Sequence, residues 1–107
     1  MKKVNVLVQD GITLNSETLC NICTIKKDFS ANIEKLKTIS IAVFSNESDA
    51  ILLGYTLGTG IKVFILADSM EDISAAFPDV VVIGDYSKLI NAVQAEIQIH
   101  YDYELCI

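Results

Sequence analysis

Long apolar runs that alternate with helix-like segments constrain the fold of this chain more than any other feature. From Thr38 onward there are three such runs, TISIAVFS, IKVFILAD and VVVIGD, and each is followed by a segment of helical composition. Near-continuous apolar strands separated by helices are typical of a parallel sheet covered on both faces. Because such crossovers are right-handed, the pattern predicts a three-layer α/β sandwich.

The first third of the chain has a less regular pattern. VNVLVQD indicates a strand inside the sheet, which brings the mainly parallel sheet to four or five strands. We predict a helix that starts at Ser16, with Leu19, Ile22 and Cys23 on its inner face, and a second helix that starts at Ser30. A hairpin through TLCNICTI is the alternative to the first of these helices.

The length of 107 residues predicts a single α/β domain over residues 1–107. Residues 98–107 are expected to form a C-terminal arm or an edge strand, because Tyr101, Tyr103, Leu105 and Ile107 alternate with polar residues. Together with the high aliphatic content of so small a domain, this tail predicts a contact between copies, and hence a homo-oligomer such as a dimer.

The charge balance excludes some classes of partner. Fourteen acidic residues against eight basic ones give a net charge of −6, whereas binding to nucleic-acid phosphates needs a basic face. We therefore expect no nucleic-acid partner.

No apolar stretch approaches the roughly 18 residues of a spanning helix, and VNVLVQD is too short for a signal peptide. We expect no membrane contact and a cytoplasmic location.

Cys20 and Cys23 form a C-x-x-C motif. A redox pair needs this motif at a helix N-terminus, and a zinc site needs two further ligands, for which His100 and Cys106 lie far away in the sequence. We interpret both cysteines as small buried side chains on one helix face, with redox and metal roles as the alternatives. We expect no cofactor and no metal, and we expect His100 to be a partly exposed edge residue.

Polar residues follow the predicted strands where each strand ends. In an open parallel sheet, ligands bind beyond the carboxyl ends of the strands. The candidate ligand-binding residues at these ends are Asp10, Ser45, Asn46, Ser48, Asp68 and Asp85. Such residues are also ordinary helix N-caps, which is the alternative role for each. An acidic rim without a glycine-rich phosphate loop suits a ribose or a base better than a triphosphate.

The segment between the apolar runs TISIAVFS and IKVFILAD contains three glycines. Gly58 and Gly60 indicate a helix C-terminus at which a positive φ is required. Gly54 falls in the middle of the same helix and predicts a close approach of helix and sheet. Leu52 and Tyr55 are expected on a flank that faces the pocket, and we include both among the candidate ligand-binding residues.

The segment NESDAILLGYTLGTGIKVFIL resembles the signature segment of nucleoside 2-deoxyribosyltransferases. Gly54-Tyr55 and Gly60 keep the spacing of that family, and the similarity covers roughly residues 33–97. The resemblance implies a flavodoxin- or Rossmann-like sheet and frequent self-association. It also implies cleavage of an N-glycosidic bond, in which a helix glutamate attacks the anomeric carbon.

The family's catalytic carboxylates are missing from this sequence. Where that family has its nucleophilic glutamate, this chain has Leu52. Where that family has an aspartate in the turn, this chain has Asn46. Because leucine cannot attack a sugar, we predict a non-catalytic module that binds a nucleoside or a nucleotide derivative. Two alternatives stay open. One is an active N-glycosidase or deoxyribosyltransferase that uses Glu47 or Asp49 as a displaced acid. The other is a protein-interaction domain with no small ligand.

Overall fold

The computed structural model describes residues 3–14, 19–45, 49–68 and 71–106, with side chains described as far as residue 103. The described elements, in chain order, are β1 (Val4–Val8), β2 (Cys20–Thr24), α1 (Phe29–Leu36), β3 (Ile41–Ser45), α2 (Ala50–Gly58), β4 (Lys62–Leu66), α3 (Glu71–Ala76), β5 (Val81–Ile83) and α4 (Tyr86–Cys106). All strand pairs are parallel, and the order across the sheet is β2-β1-β3-β4-β5. The predicted three-layer α/β sandwich, with five strands and a flavodoxin-like strand order, is confirmed.

Two apolar clusters, one on each face of the sheet, form the core. On one face, side chains of β1, β3 and β4 pack against α4, and the cluster includes Val6, Val8, Ile41, Val43, Phe64, Leu89, Val93 and Ile97. On the other face, the sheet packs against α1 and α2, and this cluster includes Leu7, Leu36, Ala42, Phe44, Leu52, Leu53, Val63 and Ile65. Ile73 of α3 packs against the second cluster. Among the described residues, α4 is therefore the only helix on its face.

Strand β3 lies at the centre of the sheet, between β1 and β4. Its residues Ile41, Ala42, Val43 and Phe44 are all completely buried. Successive side chains of a strand point to opposite faces, so a strand covered on both faces has no position where a polar side chain reaches water. This explains why the sequence of β3 is a continuous apolar run.

The expected helix from Ser16 and the alternative hairpin are both wrong for the described part of this region. Residues 20–24 form edge strand β2, which runs parallel to β1 with Val4 opposite Cys20, while Ser16 itself lies outside the described residues. A side-chain hydrogen bond between the two strands supports this pairing, because Asn21 Nδ2 donates to Asn5 Oδ1 at 3.0 Å. Apolar residues at 20, 22 and 23 fit one helix face equally well, so the pattern alone misled the assignment.

The strand assignment also changes the interpretation of the C-x-x-C motif. Residues three apart on a strand point to opposite faces. Cys20 is accordingly buried in the cluster beneath α4, whereas Cys23 packs against the cluster on the other face. Neither cysteine forms a disulfide. The interpretation of two cysteines on one helix face is thus wrong, and a redox pair between them would need side chains on the same face.

The helix predicted from Ser30 is present as α1. It begins at Phe29, one residue earlier, and Asp28 is its N-cap. Asp28 Oδ1 accepts a hydrogen bond from Ser30 N at 2.9 Å, which satisfies one of the unpaired amides of the first turn.

The predicted arm or edge strand over residues 98–107 is wrong, because α4 continues without a break to Cys106. No glycine or proline interrupts residues 86–107. Leu89, Val93 and Ile97, each four residues apart, are completely buried, which is the spacing of one helix face. Gln98 Nε2 donates to Asp102 Oδ1 at 2.9 Å, an i,i+4 contact that supports the later turns.

Gly54 does not have the architectural role expected from the sequence. The glycine is exposed, and a Cβ placed there would meet no atom within 4 Å. The buried face of α2 consists instead of Leu52, Leu53 and Thr56. The expected helix stop is confirmed at Gly60, which follows the C-cap with a φ of 82°.

Within the described residues, no helix combines the length and the apolar character that crossing a bilayer requires.

Two substitutions in the later half of α4 test the helix and its orientation. Ile97→Ala removes a completely buried side chain and is expected to lower the free energy of unfolding by about 3 kcal/mol. The matched control is Ile99→Ala, where the side chain is 62% exposed, and it should change stability by less than about 0.5 kcal/mol. Urea denaturation measures both, and equal effects would contradict the described face of α4.

Candidate functional site

All five strands are parallel, so their carboxyl ends lie at one edge of the sheet, here called the carboxyl edge. From β1 the chain moves outward to β2, whereas from β3 it moves the other way to β4. The carboxyl ends of β1 and β3 therefore flank the switch point of the topology, where open α/β sheets bind ligands. Gln9 N donates to Val43 O at 2.8 Å and holds the two ends together.

The end of β1 leads into a tight turn that carries Asp10. Ile12 N donates to Gln9 O at 3.2 Å, and Gly11 has a φ of 92°, a conformation that favours glycine. This turn exposes the Asp10 side chain at the carboxyl edge, in agreement with the location predicted from the sequence.

The end of β3 brings Ser45 to the same edge, where its side chain is half-buried. Asn46, Glu47 and Ser48 lie outside the described residues. Asp49 is the N-cap of α2, and its Oδ1 accepts hydrogen bonds from Ile51 N at 2.8 Å and Leu52 N at 3.2 Å. One carboxylate oxygen of this candidate displaced acid is thus engaged by the helix that it begins.

Leu52 and Tyr55 do not lie on the expected flank. Leu52 is only 1% exposed and belongs to the core beneath α2. Tyr55 lines a shallow groove of about 310 Å³ together with Lys37 and Thr59, which belong to the opposite, amino edge of the sheet. The buried side of α2 is formed by Leu52, Leu53 and Thr56, and Gly54 is not part of it.

The ends of β4 and β5 bring Asp68 and Asp85 to the carboxyl edge as predicted. Ala67 N donates to Ile83 O at 3.2 Å, and the chains approach so closely that a Cβ on Gly84 would lie 2.9 Å from Asp68 Oδ1. Asp85 begins α4, because its Oδ1 accepts a hydrogen bond from Lys88 N at 3.0 Å. Ser69, the next residue after Asp68, lies outside the described residues.

A small cavity at the start of α4 was not found from the sequence. It is shallow and open to solvent, has a volume of about 340 Å³ and is lined by Thr13, Tyr86, Ser87, Ile90 and Asn91. Tyr86 Oη accepts a hydrogen bond from Thr13 N at 2.9 Å, which ties the loop after β1 to α4. The signal in the sequence is the Tyr86-Ser87 pair directly after a capping aspartate.

The chemistry of this cavity is that of neutral donors and acceptors. Two hydroxyl side chains, a phenol and an amide surround one apolar residue, and Asp85 precedes it in the chain. Such groups recognise hydroxyls and the edges of heterocyclic bases. No group of three or more possible metal ligands occurs among the described residues.

Comparison of the chain with protein-family models, with curated proteins and with solved structures found no match.

Placing a carboxylate at position 52 is expected to damage the fold. Leu52→Glu places an ionisable group in a completely apolar cluster, which should lower the free energy of unfolding by about 4 kcal/mol. The adjacent Ile51→Glu is the control, because Ile51 is 72% exposed and an acid in the first turn suits the helix dipole. Chemical denaturation compares them, and a Leu52→Glu protein as stable as the control would show that this position faces solvent.

Proposed function

We propose that this chain is a non-catalytic module that binds a nucleoside or a nucleotide-derived ligand at the carboxyl edge of the sheet. The observation that carries the proposal is the hydroxyl- and amide-lined cavity at the start of α4, beside the loop that follows β1. Its position agrees with the general rule for ligand sites in open parallel sheets.

The charges at this edge favour a neutral part of such a ligand. Three exposed carboxylates follow the ends of β1, β4 and β5, and they belong to Asp10, Asp68 and Asp85. Polyphosphate would be repelled by these carboxylates, whereas ribose hydroxyls can donate hydrogen bonds to them. The proposed contact is therefore with the sugar and the base.

The non-catalytic part of the proposal rests on Leu52 and Asp49. The side chain at the family's nucleophile position is apolar and 1% exposed, and Asp49 Oδ1 is occupied by two backbone amides. An active N-glycosidase would need the remaining Asp49 oxygen or Glu47, which lies outside the described residues, to reach the anomeric carbon.

A protein-interaction domain is the second candidate, and exposed apolar side chains on α2 favour it. Ile51 is 72% exposed and Tyr55 is 49% exposed, and the two lie one helical turn apart on the same side. A homodimer through this surface or through exposed Ile99 and Tyr103 of α4 is part of this proposal. Cys20 and Cys23 form no disulfide, which suits a reducing compartment, so we also propose a cytoplasmic location.

Tyr86→Phe tests the nucleoside-binding proposal. Titration of the labelled protein with adenosine, deoxyadenosine and uridine, followed by NMR, should give shifts at residues 86–91. We expect Tyr86→Phe to raise the Kd about fivefold to tenfold, because the variant loses the hydroxyl whose hydrogen bonds with the Thr13 backbone hold the loop after β1 against α4 at the site. The control is Tyr103→Phe, which removes the same hydroxyl from a side chain that is 67% exposed near the other end of α4.

Analysis of the recovered ligand separates the candidates. Intact nucleoside supports the binding module, whereas free base and sugar would establish an active glycosidase. No binding at millimolar nucleoside, together with a concentration-dependent mass in sedimentation experiments, would favour the interaction domain instead.

A further inference from the structure

A further cavity lies at the opposite edge of the sheet from the candidate nucleoside site. It encloses about 410 Å³ at the amino edge, between Ser40 before β3, Lys62 at the start of β4 and Val80 before β5. The ends of α2 and α3 and the later half of α4 form its sides. A cavity of this size can hold a small organic molecule.

The walls of this amino-edge cavity combine polar surface with slightly more apolar surface. Leu57 and Ile61 contribute aliphatic surface, and Phe77 and Pro78 contribute the rim after α3. The Phe77 ring is 39% exposed, so one aromatic surface remains accessible to an occupant. The apolar part of a ligand would replace water along these walls.

Glu96 of α4 supplies the polar anchor in this cavity. Its side chain is only 19% exposed, and the nearest cationic partner among the described residues is His100, with Nε2 at 4.0 Å from Glu96 Oε2. That distance is too long for a hydrogen bond. A largely buried carboxylate without a close donor in the described part of the chain is well placed to accept one from a ligand.

Lys62 brings a positive charge to the lining, and its ammonium group is engaged by the wall of the cavity itself. Lys62 Nζ donates to Asp79 O at 3.1 Å and lies 5.9 Å from the centre of the Phe64 ring. Asp79 and Glu96 bring two acidic side chains to the lining against one ammonium from Lys62, and His100, the remaining ionisable lining residue, adds an imidazole beside Glu96. The C-terminus of α2 adds partial negative charge. The electrostatic balance of the cavity therefore favours a cation.

We propose that the amino-edge cavity binds a small organic cation, a primary ammonium group carried on a compact apolar body. The ammonium donates to the Glu96 carboxylate, and the apolar body lies against Ile61 and the ring of Phe77, which also attracts a nearby cation. This site is separate from the nucleoside proposal, because it lies at the other edge of the sheet and shares no lining residue with the cavity at Tyr86.

Three ligands of matched shape test the charge preference. Phenethylamine carries the ammonium, 2-phenylethanol is its neutral counterpart, and 3-phenylpropionate carries the opposite charge. Titration of the isotope-labelled full chain, followed by NMR, should show shifts of the His100 imidazole and the Ile61 and Val80 methyl groups. We expect the amine to bind at least fivefold more tightly than the alcohol and the acid to bind most weakly.

Glu96→Gln keeps the shape of the side chain but removes its charge, and it should weaken amine binding at least tenfold. The control is Asp102→Asn, an exposed carboxylate on the same helix whose partner is Gln98, and it should leave the Kd unchanged within twofold. Thermal unfolding of both variants verifies that they are folded.

Three results would overturn the proposal. The first is equal binding of the amine and the alcohol, and the second is unchanged amine affinity in folded Glu96→Gln. The third is the absence of shifts with 20-fold excess phenethylamine over the protein at millimolar concentration. None of these results affects the nucleoside proposal, which Tyr86→Phe tests independently.

Discussion

Burial of β3 on both faces is the constraint on which the rest of this structure depends. Ile41 and Val43 belong to the cluster beneath α4, and Ala42 and Phe44 belong to the cluster beneath α1 and α2. Burial of a side chain as large as those of Ile41, Val43 and Phe44 contributes about 1.5–3 kcal/mol to the free energy of unfolding. That contribution is realised on both faces only when helices cover both, so the central strand couples the two layers to each other.

The alternation of buried strands and helices from Thr38 onward could be predicted, because the hydrophobic pattern of each run fits only one type of secondary structure. The first third could not, since the apolar positions of CNICT fit an edge strand and a helix face alike, and only the neighbouring strand decides between them. The tail failed for a related reason. Tyr101 and Tyr103 alternate with polar residues. Tyr101, however, also continues the four-residue spacing of Leu89, Val93 and Ile97 in α4.

The candidate site was predictable where it depends on topology and not where it depends on long-range contacts. Asp10, Asp68 and Asp85 follow parallel strands, so their shared edge follows from the strand assignment. The contact of Tyr86 with Thr13 joins residues 73 positions apart, and no local pattern indicates it. Leu52 was misplaced because α2 (AILLGYTLG) carries apolar residues on most of its sides, so the sequence pattern does not single out the buried one.

The position of α4 in the chain has a consequence for how this domain is made. All five strands precede α4, and among the described residues no other helix covers the face that holds Val6, Val8, Ile41 and Val43. During synthesis these side chains leave the ribosome before the helix that shields them, and they stay accessible to chaperones and to other nascent chains until it follows. Completion of this domain is therefore a late event, governed by the emergence of a single helix rather than by successive addition of strand-helix units.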